Sequence, residues 1–110
     1  MAKFERTFMN QGFDSLVERV ERAVLHGSYT ATLEDQADYR QGDARCAVRV
    51  FERYSYAGGN RVSMSVTIFQ SENVTRLCAI TSGGSSAVWF KFNTWGEESF
   101  LDTLRVEFDR

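Results

Sequence analysis

Acid–base chemistry in this sequence would fall to Asp35 and Glu52, with Arg76 to hold an anion. These are the charges that strand alternation places on an otherwise apolar sheet face. A carboxylate that carries protons near neutrality needs a raised pKa, which burial between apolar walls supplies. Those walls would be Tyr29, Tyr54, Met64 and Trp89, enclosing a small molecule between sheet and helices. The plainer alternative leaves the three charges at a wet rim of the sheet, since an unpaired charge in the interior is costly.

Two further groupings invite a function. Ser82-Gly83-Gly84-Ser85-Ser86 can present successive backbone N–H groups to a phosphate or carboxylate. It lacks the Lys-Ser/Thr ending of a phosphate-binding loop, so a plain turn competes with ligand contact there. Phe51, Phe69 and Leu77 fall on neighbouring strands of the opposite face, together with Arg45, Arg49 and Arg53. Three large apolar side chains so grouped suit a second subunit, giving a homodimer through this face or through the sheet edge. Bases stacked on Phe51 and Phe69 are the rival reading, and a net charge of −2 argues against nucleic acid.

Other chemistries find no footing. The sole histidine, His26, has no evident carboxylate beside it, so neither Ser82 nor its neighbours gain a catalytic base. Cys46 and Cys78 show no ligand spacing, and no metal site or cofactor is assigned. No residue is named as catalytic.

These side chains are positioned by ordinary globular material. The chain has 110 residues, 43% hydrophobic and 25% charged, with nine Phe and no Pro to mark a linker. It reads as a single α+β domain over 1–110. The start, Met1 to Phe8, lacks the apolar run of a signal peptide, and no stretch is apolar enough to span a membrane. Two reduced thiols then fit a cytoplasmic setting.

A strand over 2–9 puts Phe4 and Phe8 on one face. A helix over 13–26 follows, with Phe13, Leu16, Val17, Val20, Ala23 and Val24 as its apolar stripe. Gly27 suits a left-handed stop. Four strands are expected at 28–40, 44–56, 61–71 and 74–82. Gly42-Asp43 closes a two-residue hairpin that pairs Gln41 with Ala44, Tyr39 with Cys46 and Leu33 with Glu52. Ala57-Gly58-Gly59 closes a three-residue loop that pairs Tyr54 with Val62 and Val48 with Ile68. A three-residue connection at 71–73 pairs Val66 with Cys78. The inward set then includes Tyr29, Tyr39, Cys46, Val48, Val50, Tyr54, Val62, Met64, Val66, Ile68, Cys78 and Ile80.

Residues 87–92 fit a strand or a buried helical turn. Thr94-Trp95-Gly96-Glu97 matches a capping box that opens a last helix with Phe100, Leu101, Leu104 and Phe108 on one side. The fold class is α+β, a curved antiparallel sheet of four to six strands with two helices on one face. Its order, β-α-β-β-β-β-(β)-α, resembles TATA-binding-protein-like and helix-grip arrangements.

Three stretches carry a family resemblance: Arg45 to Tyr56, Ala79 to Ser85, and Asn93 to Phe100. They resemble a small bacterial family catalogued only as a domain of unknown function. That resemblance implies a bacterial cytoplasmic setting and brings no activity, cofactor or catalytic residue. The leading reading is therefore a self-associating binding or interaction domain with a small-ligand cleft between sheet and helices. The alternative is a small-molecule enzyme using Asp35 or Glu52 in that cleft.

Overall fold

The structure, a computed structural model, describes residues 1–54, 61–83 and 90–109, with the backbone alone described over 90–95. Its elements are β1 (Ala2–Met9), α1 (Phe13–Gly27), β2 (Thr32–Gln41), β3 (Ala44–Tyr54), β4 (Arg61–Ser71), β5 (Val74–Gly83) and α2 (Phe90–Phe108). The strands form one antiparallel sheet in the order β1-β5-β4-β3-β2. This is the α+β, β-α-β4-α architecture that the sequence predicts. Among the described residues no helix is long and apolar enough to cross a membrane.

The topology gives α1 its place between β1 and β2. Its chain leaves β1 at one sheet edge and must reach β2 at the other. Between the two edges α1 lies along β3: Asp14 meets Arg45, Glu21 meets Arg49, and Ser28, just past the helix, meets Arg53. There α1 buries Phe13, Leu16, Val17, Val20 and Val24, five of the six positions of the predicted stripe. α2 adds Phe100, Leu101 and Leu104, all fully buried. Beneath both helices lie Phe4, Phe51, Val62, Met64, Val66, Ile68, Leu77 and Ala79.

The first hairpin turns where expected. Gln41 faces Ala44 and Tyr39 faces Cys46, with Gly42 at a φ of 58°. Farther along, Leu33 pairs with Phe51 rather than Glu52, because a bulge at Glu34 inserts one extra residue. The other two hairpins are each displaced by one residue from expectation. Tyr54 faces Arg61, Val48 faces Thr67 and Val66 faces Ala79. The predicted loop at 57–59 lies outside the described residues. The β4–β5 connection is a two-residue turn, Glu72-Asn73, both at positive φ (55° and 65°), the backbone of a tight hairpin. An Asp43 carboxylate oxygen accepts the Glu72 N–H at 3.0 Å, which fixes this turn against the neighbouring one.

With a period of two, a slip of one residue exchanges faces. β4 keeps its predicted inward set, but β3 and β5 turn over. Cys46, Val48, Val50, Tyr54, Cys78 and Ile80 point away from the helices, while Phe51 and Leu77 enter the core at 0% and 1% exposure. Phe51 and Leu77 are therefore not surface residues. Tyr29, also predicted inward, is 97% exposed in the turn before β2.

Two helix boundaries also differ. α2 already runs at Phe90, so Thr94-Trp95-Gly96-Glu97 lies inside it and forms no capping box. Gly27 belongs to α1 and is not among the residues at positive φ. Its smallness serves packing instead: a Cβ there would sit 3.1 Å from Cβ and Cγ2 of Thr103. Replacing a helical Gly with Ala ordinarily gains about 1 kcal/mol. Gly27→Ala is expected to gain less than that in the native chain and more beside Thr103→Ala, which removes the Cγ2 contact and keeps that of Cβ. Additive melting shifts across that double-mutant cycle would contradict the close approach.

Candidate functional site

Arginines at four-residue intervals on β3 face the helices, and each finds a partner there. Arg49 places Nε 2.9 Å from Glu21 Oε2 on α1 and a terminal nitrogen 3.0 Å from Asp38 Oδ1. Arg53 donates to Ser28 Oγ at 3.2 Å and to the Gly96 carbonyl at 3.3 Å, its guanidinium lying over the Phe100 ring. Arg45 stacks on Phe13 and pairs with Asp14, whose carboxyl it holds below its ordinary pKa by hydrogen bonding. Paired in this way, cations can line a covered face without the penalty of lone burial. Glu97 is buried, accepts the Gly83 N–H at 2.9 Å and lies 2.9 Å from the Met1 amino group. These polar positions pin α1, α2 and the start of β1 to the sheet.

With the β3 arginines and both helices on one side of the sheet, the opposite face is left uncovered. Across it one row runs Lys3–Ile80–Ser65–Val50–Asp35. The adjacent row runs Glu5–Cys78–Thr67–Val48–Ala37, and the next runs Thr7–Arg76–Phe69–Cys46–Tyr39. In the first two rows the central strands β3, β4 and β5 present only Val48, Val50, Ser65, Thr67, Cys78 and Ile80, none of them charged. Phe69 and Ile80 are 44% and 41% exposed, while Val48 and Val50 are half-buried by their neighbours alone. Lys3, Glu5 and Asp35 end these two rows on the edge strands, and Arg76 and Glu52 stand in the rows on either side of them. An uncharged centre inside a charged rim is the anatomy of a protein interface.

Among the described residues, those predicted to bind a ligand are spread over the sheet. Asp35, Glu52, Tyr54, Arg76 and Ser82 all belong to this uncovered face rather than to a cleft under the helices. Strand spacing and rise put Asp35 and Arg76 roughly 20 Å apart. Glu52 instead pairs with Arg61 at 3.0 Å and accepts from Ser63 Oγ at 3.2 Å. Gly83 gives its N–H to Glu97, and Gly84, Ser85 and Trp89 lie outside the described residues. Of the predicted interface residues, Phe69 alone is on the surface.

Between α1 and α2 a groove of about 500 Å³ opens over Arg53, bordered by Arg22, His26, Asp102 and Glu107. None of the predicted ligand residues is among the described residues that line it. No group of three metal-ligating side chains occurs among the described residues.

Sequence reasoning missed Arg49, Arg53 and Glu97 as buried groups. One signal was present: Ala47 and Phe51 alternate with Val48 and Val50, so β3 is apolar on both faces and its alternation fixes neither.

Cys78 gives the uncovered face a chemical probe. Burial pushes its thiol above the ordinary pKa, and the negative charge of Glu5, opposite it in register, adds to this against Lys3. A raised pKa defers the thiolate to higher pH. In a Cys46→Ser background, alkylation of Cys78 is therefore expected to show a higher pH midpoint than an unstructured cysteine peptide, and Glu5→Gln should lower it. A midpoint equal to the peptide's would contradict this surrounding.

Residues 1–110 match the Family of unknown function (DUF6054). No curated protein matches the chain.

Proposed function

This chain belongs to that family of unknown function, and we propose that it is a non-enzymatic interaction domain that self-associates through the uncovered face of its sheet. The observation that carries this reading is the uncharged centre built from Val48, Val50, Ser65, Thr67, Cys78 and Ile80. A sheet with one bare face of this composition gains by burying it, at about 25 cal/mol per Å² of apolar surface removed from water. The face measures roughly 24 by 30 Å from strand spacing and length. Its roughly 700 Å² approaches the ~800 Å² that each partner contributes to a stable interface.

The sheet edges are poorer candidates. β2 carries Glu34, Asp35 and Asp38 and a bulge, and β1 carries Lys3, Glu5 and Arg6. Charges and bulges on edge strands oppose strand-to-strand addition.

Thiol alkylation tests the face directly, because Cys46 and Cys78 both lie on it. Their reaction with iodoacetamide is expected to slow as protein concentration rises and the face becomes covered. Rates unchanged up to several hundred micromolar protein would contradict the proposal.

A further inference from the structure

We propose that two copies pair sheet against sheet about a two-fold axis running along β4, so that Lys3 of each copy stands opposite the partner's Asp35. This rests on self-association through the uncovered face and adds its geometry.

Charge selects the axis. On the uncovered face the β2–β3 flank carries Glu34, Asp35 and Glu52 against Arg61, which pairs with both glutamates. The β1–β5 flank carries Lys3 and Arg76 against Glu5. Rotation about an axis along β4 lays each flank on its opposite in the partner. Lys3 and Asp35 end the same cross-strand row, so that rotation superposes them twice per dimer. An axis across the strands would instead lay the acidic flank on itself, which like-charge repulsion opposes.

Shape agrees with charge. A depression of about 310 Å³ lies on this face beside Cys46, flanked by Tyr39 and Phe69. The axis along β4 brings the partner's Arg76 over Cys46, because both occupy the row of Phe69 one strand to either side of β4. A guanidinium arriving there meets two aromatic rings, a favourable cation–π setting. Phe69 itself lies on β4 and meets its own copy at the axis. Facing sheets in such packings stand about 10 Å apart, close enough for these contacts.

Charge exchange and a distance measurement test the arrangement together. Lys3→Asp or Asp35→Lys alone is expected to weaken dimerisation about tenfold at low salt, since each creates two like-charge pairs, and the double exchange should restore it to within about threefold. For the distance, a nitroxide is placed at Ser71→Cys, at the end of β4, with Cys46 and Cys78 replaced by alanine. An axis along β4 expects inter-copy separations under about 20 Å, and an axis across the strands expects about 34 Å from the strand rise. A dimer of native affinity in both single exchanges, failure of the double exchange to restore affinity, or the longer spin-label distance would overturn this geometry while leaving self-association intact. A wild-type chain that stays monomeric would overturn both.

Discussion

Phe51→Ala is expected to lower unfolding stability by about 3–5 kcal/mol, as for other aromatic truncations in a packed core. Phe51 has 0% exposure beneath the helices. Domains of this size hold only about 5–15 kcal/mol in total, so the variant should melt far below the native chain or fail to accumulate folded. Urea titration measures the effect. The outcome separates the two registers cleanly: with Phe51 outside, the same truncation would change stability by less than about 0.5 kcal/mol and alter only association. A phenylalanine that looks like an interface residue in the sequence is thus the wrong place to break an interface. Changing it would remove the fold.

Val48→Lys combined with Val50→Lys is expected to abolish self-association while leaving the fold in place. Both side chains stand at the centre of the bare face and are half-buried. Two lysines there would set four positive charges against the partner sheet in a water-poor interface, where unpaired charge is costly. In a monomer the same lysines reach solvent and cost little. Light scattering should report the monomer mass, with circular dichroism and melting close to native. A variant that remains assembled would remove this face from the interface. One that unfolds would show that the valines serve the core after all.

The sequence disclosed the elements far better than their facing. Helical periodicity from Phe13 to Val24 located α1 within a residue at its end, because five of its stripe positions repeat at a single period and the opposite side is charged. Gly42-Asp43 fixed the first hairpin, since a glycine there supplies the positive φ of 58° that the turn demands. The other two hairpins were ambiguous for a physical reason. β3 alternates Ala47 and Phe51 with Val48 and Val50, and β5 alternates Leu77 and Ala79 with Cys78 and Ile80. Each strand therefore offers two apolar faces, and loop length alone had to choose between them.

What breaks the tie is tertiary. Arg49 can enter only because Glu21 descends from α1 and Asp38 from β2. Arg53 can enter only because Ser28, Gly96 and Phe100 converge on it. Those partners stand up to 47 positions from the arginine they meet, and no local pattern announces them. The Glu72-Asn73 turn was hidden in a similar way, for it relies on the Asp43 carboxylate of another hairpin to hold the Glu72 N–H. Asp35, Glu52, Tyr54 and Arg76 were expected in a cleft because that placement depended on the inverted strands. Asp35, Glu52 and Arg76 were correctly assigned to one face, yet that face is the bare one and they stand apart on it.

Sedimentation equilibrium of the wild-type chain over a concentration series is the most direct test of the bare face as a self-association surface. The mass is expected to rise from 12.6 kDa toward twice that value as concentration passes from the nanomolar to the high micromolar range. A mass that stays at that of one chain throughout would contradict the account.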